Sequence, residues 1–217
     1  MGGRIMFWYD LASSLLIGII NTLELLLISA PLGTGLGIAV GILSSRKGFL
    51  SILARAFSSI FRGFPLLVTL FIVFFGLADF GIYLSPTASA IISFILCSSA
   101  YISEYVRGAI LSIDEGQSLA AKAIGMNETQ EFLHIIVPQA IRRALPSISN
   151  EIVYMVQYSS LAFAIGVQEI YSVAKSFNSL YFRPLEIFST LAFIYLSMTA
   201  LVTLLFRKLT ERLRIPD

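Results

Sequence analysis

LASSLLIGIINTLELLLISAPLGTGLGIAVGIL, residues 11–43, carries a single ionisable side chain, Glu24. A helix crosses the ~30 Å hydrocarbon core of a bilayer in about 20 mostly apolar residues, so this stretch is a membrane span with length to spare. Asn21, Glu24, Pro31, Gly33, Gly35, Gly37 and Gly41 interrupt it. Proline removes a backbone donor and bends a helix, which predicts one bent or tilted helix. The GTGLG at 33–37 is a superficial match to a nucleotide loop. Inside an apolar span, small residues serve close helix approach instead.

The rest of the chain agrees. Of 217 residues, 57% are apolar and 13% charged, with a mean hydropathy of +0.85. Soluble domains run about 45–50% apolar and about 25% charged, so a water-soluble domain is excluded and lipid covers the surface. A net charge of +2 gives no reason to expect nucleic acid. Cys97, the only cysteine, lies in an apolar run, which rules out an intrachain disulfide and a CxxC metal site. His134, the only histidine, has no Cys or carboxylate constellation beside it and reads as a surface or interface group. No metal and no cofactor is expected.

Further charge-poor runs predict spans at about 58–78, 82–103, 147–167 and 185–206, with no alternation to suggest strands. The expected fold is an all-α integral membrane protein, a single domain over 1–217 built as a five-helix transmembrane bundle. Residues 1–10 read as a retained tail into the first span, without a cleavage pattern. Arg46, Lys47, Arg55, Arg62, Arg107, Lys122, Arg142, Arg143, Arg207, Lys208, Arg212 and Arg214 fall on one side, and only Arg4, Lys175 and Arg183 on the other. That bias predicts an N-terminus outside and a C-terminus in the cytoplasm. Arg62 reads as an end anchor reaching toward headgroups. The trio Phe71, Phe74 and Phe75 reads as packing or lipid contact.

The unusual loop is the cytoplasmic one, 104–146, far longer than the 2–8 residues usual between bundle helices. Asp114 and Glu115 precede a short helix-forming stretch at 117–124, and Gly125 follows as its stop. Leu119, Ala120, Ala123 and Ile124 make an apolar face on it, which needs burial. Two partners fit: a span surface of the same chain, or a groove on another protein.

Gly116, Gln117, Ala120, Ala121 and Gly125, followed by Ile135, Val137 and Pro138, closely resemble the EAA loop of ABC importer membrane subunits. The chain resembles the polar amino acid uptake branch of that family, the histidine and glutamine permease type, at Asn21-Thr22-Leu23, 61–67, 101–108, 138–140, Leu145-Pro146, Asn150, Ser160-Leu161 and 165–167. This resemblance implies a multi-pass permease subunit in the inner cell membrane of a prokaryote. Its short cytoplasmic helix would dock on an ATP-hydrolysing subunit, and ATP-driven closure would alternate access to a polar amino acid or similar small polar solute. Gly116, Gln117, Leu119, Ala120, Ala121, Gly125 and Pro138 would carry the ATPase coupling. The implied partners are ATP-binding cassette subunits, a second permease copy or paralogue, an extracytoplasmic solute-binding protein and the lipid bilayer.

The permease itself would do no chemistry, and the chain has no GxxxxGK[ST] loop. Leu119 stands where the family has the EAA glutamate, which removes an acidic contact, and Phe64 stands where the family often has Thr. Ionisable groups inside spans are costly and mark function. Glu24 lies within a turn of Asn21 and Thr22 and reads as part of a polar patch facing the bundle or a subunit interface. The family's solute site places a Glu, a Lys and an Asp where this chain has Glu151, Gln157 and Tyr158, followed by Ser159 and Ser160. Gln157 offers neutral donors in place of a full charge, so a basic amino acid is disfavoured. Glu151, Tyr154 and Tyr158 share one helical face and would line the path, with Gln157 at its edge. The opposing expectation is that this chain is the non-binding half of a heterodimer. A different class of function, a self-sufficient channel or secondary carrier, would lack an ATPase. Inverted repeats or paired intramembrane charges would mark that class, and the sequence has neither.

Overall fold

The computed structural model describes residues 2–213. Arg214 of the C-terminal basic group lies outside the described residues, and so does the side chain of Arg4. Nine α-helices and no strand occur among the described residues: α1 Gly2–Ser45, α2 Phe49–Gly63, α3 Leu66–Phe71, α4 Pro86–Leu111, α5 Glu115–Ala123, α6 Glu128–Glu131, α7 Val137–Tyr158, α8 Ile170–Tyr181 and α9 Pro184–Leu213. Helices Ile5–Ser45, Pro86–Leu111 and Pro184–Arg212 are each long and apolar enough to cross a membrane, and the broken pair Phe49–Gly63 and Leu66–Phe80 makes a fourth if it is one span.

Several helix ends differ from the expected spans, each for a local reason. α1 runs unbroken through Pro31. The run at 58–78 is split, because Phe64 and Pro65 are extended (φ −88°, ψ 137° and φ −56°, ψ 139°). A residue before proline is pushed out of the α region. α3 continues into a π turn, Ile72–Gly76, and a 3-10 turn, Ala78–Phe80. α4 opens on Pro86, a favoured first position, and runs on to Leu111, taking in Glu104 and Arg107. The segment between α4 and α7 is therefore 112–136, shorter than 104–146. The stretch 147–167 is not one helix: α7 ends at Tyr158 and the chain goes on as a 3-10 helix, Ser159–Ile165, to Gly166 at φ +91°. α8 lies between the runs expected as the fourth and fifth spans, where no helix is expected.

The chain packs as two compact units, and α1, α4, α7 and α9 each contribute to both. The first takes the chain up to Pro31, Pro65–Phe94 and Val153–Val202. One apolar cluster in it gathers Leu25, Leu70, Phe94, Met155, Val156 and Ile165; another gathers Phe7, Leu11, Leu15, Ile170, Phe177 and Ile187. The rings of Phe94 and Tyr158 meet edge-on at 5.6 Å.

The second unit takes Leu32–Phe64, Ile95–Ile152 and the chain from Thr203 on. Its core is Ile102, Val106, Ile110, Ala140, Ala144 and Ile148. Here Gly33, Gly37 and Gly41, one helical turn apart, lie against α4. A Cβ at Gly37 would sit 2.7 Å from the Ile102 Cβ and 2.9 Å from the Ser99 carbonyl oxygen, and one at Gly41 2.7 Å from the Val106 Cβ. A Cβ at Gly35 would meet nothing within 4 Å. α2 turns small groups inward, Ser51, Ala54 and Ser58, and leaves Phe49, Leu50, Ile52 and Leu53 exposed. Ser58 Oγ and Ser103 Oγ are 2.6 Å apart. Arg62 does not end free as a headgroup anchor: it reaches Glu104 at 3.3 Å, and Glu104 also holds Arg107 at 2.7 Å.

Overpacking a tight contact costs ~1–3 kcal/mol. Gly37→Ala and Gly41→Ala should therefore lower the thermal midpoint of the detergent-purified protein, whereas Gly35→Ala should leave it unchanged or raise it. Thermal unfolding followed by circular dichroism checks the contrast.

Candidate functional site

The loop helix α5 is defined at both ends by its own chemistry. Asp114 caps it, accepting from the Gly116 amide at 2.7 Å. A Cβ at Gly116 would lie 2.7 Å from Asp114 Oδ1, so a side chain there would push the capping carboxylate aside. At the other end the Gly125 amide donates to the Lys122 carbonyl and the Met126 amide to the Ala121 carbonyl, both at 3.0 Å. With Gly125 at φ +82°, this is the paired pattern of a Schellman stop. Asn127 and Gln130 then form a reciprocal capping box at 3.0 Å each way, starting α6.

The loop is tied down around that helix. Ser118 Oγ donates to Glu131, Gln139 Nε2 donates to Gln117 Oε1 at 3.2 Å, and Arg143 donates to the Ser112 carbonyl at 2.7 Å. The Arg46 guanidinium lies 3.7 Å from the centre of the Phe132 ring. Phe132–Ile136 forms a π turn leading into α7. His134 contacts the Gln130 carbonyl at 3.0 Å through Nδ1.

One side of α5 is used internally and the other is not. Ala121 is buried. Gly116, Gln117, Ala120, Ala123, Gly125 and Pro138 are exposed, and Leu119 and Ile124 are 67% and 75% exposed. Of the two partners open to the apolar face, a span of the same chain does not cover it.

The other candidates lie along α7 and just beyond it. Glu151 and Ser159 are buried, Tyr154 is 53% exposed, Gln157 is exposed, and Tyr158 and Ser160 are half-buried. Ser159 Oγ donates to the Val156 carbonyl at 2.7 Å and Ser160 Oγ to the Gln157 carbonyl at 3.0 Å. Of the polar residues in α1, Asn21 donates to the Gln168 carbonyl at 2.7 Å, and the Thr22 hydroxyl accepts from the Ile170 amide at 3.3 Å. Glu24 is exposed.

Sequence reasoning passes over Glu169. It is fully buried and caps α8, accepting from the Tyr171 and Ser172 amides at 2.7 Å each. Its Oε2 also accepts from the Tyr195 hydroxyl at 3.1 Å. Burial pushes its carboxyl up to about 7 against the pull of those three donors. The available signal is the polar pair Gln168-Glu169 directly after Ile165-Gly166-Val167, with a tyrosine inside the last apolar run.

A family model described as the binding-protein-dependent transport system inner membrane component matches residues 33–215. The octopine transport system permease protein of Rhizobium radiobacter is 37% identical over 210 residues, covering 92% of this chain and 86% of the relative. The glutamine transport system permease protein of Escherichia coli strain K12 is 31% identical over 186 residues, covering 84% and 85%. Among solved structures, an amino acid ABC transporter with histidines superposes at a TM-score of 0.87 with 28% identity, covering 94% of this chain and 96% of that one.

Glu169 binds its proton more tightly folded than unfolded, so its contribution to stability is complete below the unfolded value of 4.5 and is lost as pH rises through about 7. The ionisable side chain in contact with it is Tyr195 of α9; α1 brings only the neutral Asn21 and Thr22 to the segment around it, and Lys175 of α8 points to the Phe163 ring. The thermal midpoint of the wild-type protein should fall between pH 5 and 8, and Glu169→Gln should flatten that slope.

Proposed function

The chain belongs to the family of binding-protein-dependent transport system inner membrane components, and on that premise we propose that it passes a polar amino acid or similar small polar solute through the membrane by alternating access. It is a permease subunit of an ABC importer. The cargo class follows from the relatives, which are permeases of octopine and glutamine transport systems. Gln157 and Tyr158, where the resemblance leads one to expect Lys and Asp, favour a neutral over a basic amino acid. Glu151, Tyr154, Gln157, Tyr158, Ser159 and Ser160 are the proposed path residues.

The single observation that carries the coupling role is the uncovered apolar face of α5. Leu119, Ala120, Ala123 and Ile124 stand out from a helix pinned at Asp114 and Gly125. A short amphipathic helix with one free face fits a groove on another protein. The proposed occupant is the ATPase subunit, which hydrolyses ATP while the permease remains non-catalytic. Leu119 in place of an acid asks that groove for an apolar contact. Twelve basic residues against three support an N-terminus outside and a C-terminus and α5 in the cytoplasm. Five crossings give those termini if α7 with its 3-10 extension makes one of them. Exposed Glu24 on α1 supports a second permease subunit, since a carboxylate facing lipid costs ~2.5–3.5 kcal/mol. A solute-binding protein delivers the cargo from outside.

Mild-detergent extraction from native membranes, followed by mass spectrometry, should recover an ATPase subunit bearing GxxxxGK[ST]; recovery of the chain alone would reverse the reading. Ala120→Trp and Leu119→Lys should cut uptake about tenfold or more, the equivalent of ~1.4 kcal/mol at the docking surface, with permease levels unchanged. Normal uptake in both variants would remove α5 from the coupling.

A further inference from the structure

Trp8 is the chain's only tryptophan, and it stands just ahead of the long apolar run of α1. Beside it the start of α1 packs against the corner between α8 and α9. The buried Phe7 ring meets Trp8 and Tyr181 edge-on, each at 5.3 Å, and Phe177 at 5.7 Å. Phe177 and Tyr181 stack at 4.3 Å. The Arg183 guanidinium lies 4.8 Å from the centre of the Phe7 ring, and the Tyr181 hydroxyl donates to Asp10 at 3.4 Å.

One residue of this corner is held under backbone strain. Phe182 closes α8 at φ 52°, ψ 43°, and it is the one non-glycine residue with positive φ among the described residues. Glycine adopts that backbone freely, as Gly125 does after α5, whereas a bulky side chain resists it. The Phe182 ring is 82% exposed, so no packing within this chain offsets the strain. Strain kept where glycine would relieve it marks a side chain that is used.

The neighbouring helices show what covers the ring. Leu11 and Ile187 open the two apolar runs that follow Asp10 and Glu186, and both belong to one buried cluster with Phe7 and Phe177. The two runs therefore begin at the same level. The run of α9, 187–206, is about 20 residues, enough at ~1.5 Å each to cross the ~30 Å hydrocarbon core once, and Arg207 follows it. Leu11 and Ile187 thus mark one edge of that core. Trp8 stands about one helical turn before Leu11, on the polar side of the edge. Leu185, Phe193 and Leu196 are all exposed, so the uncovered apolar surface of the corner continues down α9 into the span. Trp and Tyr rings gather at such a boundary because their bodies are apolar and their N–H and O–H ends stay wet. An arginine there buries its stem and keeps its charge among headgroups.

We propose that the corner formed by Trp8, Tyr181, Phe182 and Arg183 is a membrane-interface anchor, whose rings lie in the headgroup boundary of one leaflet and fix the depth at which α1 and α9 enter the bilayer. The partner is the lipid surface, with ester and phosphate oxygens receiving the Trp, Tyr and Arg donors. The anchor does not depend on the cargo or on the path residues. Only the choice of the outer leaflet rests on the topology proposed above.

The full-length wild-type chain in phosphatidylcholine vesicles tests this, since Trp8 fluorescence reports its own depth. Quenching is compared for lipids brominated near the top of the acyl chain, for lipids brominated near its end, and for iodide present on both sides of the membrane. A second protein, Trp8→Phe/Phe182→Trp, moves the fluorophore to the strained position, with helicity checked by circular dichroism. Both reporters should be quenched roughly twofold more by the shallow bromines than by the deep ones, and roughly threefold less by iodide than free tryptophan is. Stronger quenching by the deep bromines would place the corner in the hydrocarbon core. Iodide quenching equal to that of free tryptophan would place it in water, open to a protein from that side. Indifference to all three quenchers would place it inside a protein interface. Each of these outcomes overturns the proposal, and if the double variant lacks wild-type helicity, Trp8 alone decides.

Discussion

The second unit depends on the missing side chains of Gly33, Gly37 and Gly41. Apolar burial gives no net drive between helices in lipid, because acyl chains are as apolar as leucine; close van der Waals contact takes its place. A glycine at every fourth position clears a strip on α1 into which Ile102 and Val106 of α4 fit and against which the Ser99 and Ser103 carbonyls rest. The same logic explains α2, whose inward face is Ser51, Ala54 and Ser58 while its bulky apolar groups point away. In water such a helix would be inside out. Its small side chains meet protein, and its large ones are left for lipid or a partner to cover.

Several serines inside this chain are satisfied locally. The hydroxyls of Ser29, Ser44, Ser58, Ser93, Ser103 and Ser149 each donate to a carbonyl three or four residues earlier, so serine costs little in these helices and keeps their surfaces narrow. Longer-range polar ties are few and placed at helix ends and breaks. Glu104 with Arg62 and Arg107 joins the end of α2 to α4, and Glu169 joins the start of α8 to α9. Both carboxylates sit where irregular backbone or a helix terminus needs an anchor.

Much of this is legible in the sequence, and the reasons are physical. The run 11–43 is so long and so free of charge that only a membrane helix fits it, and Asp114 with Gly125 brackets α5 because caps are read from local chemistry alone. The break at Phe64-Pro65 is also readable in principle, yet the apolar run masks it, since hydropathy continues where the helix stops. The 3-10 stretch after Tyr158 has no sequence signal: Ser159–Ile165 is as apolar as a helix, and only its packing sets its pitch. Glu169 escapes notice for a similar reason. Its importance comes from Tyr195 and Thr22, which are distant in sequence, and a carboxylate just beyond an apolar run looks like an ordinary loop residue. Leu119 shows the converse, where a departure from a family pattern is plain in the sequence and the structure adds that the side chain is uncovered.

The two clamps on α5 have a mechanical consequence. The cap at Asp114 lies close against Gly116, and the stop at Gly125 ends the helix in a left-handed residue. Lengthening this helix or unwinding it at its start would break a cap, at a cost of about 0.5–2 kcal/mol. Three hydrogen bonds tie this segment down: Ser118 to Glu131, and Gln117 and Ser112 to Gln139 and Arg143 of α7. In the coupling role proposed above, α5 would act as a pawl, short, capped at both ends and tied through Gln117 to α7.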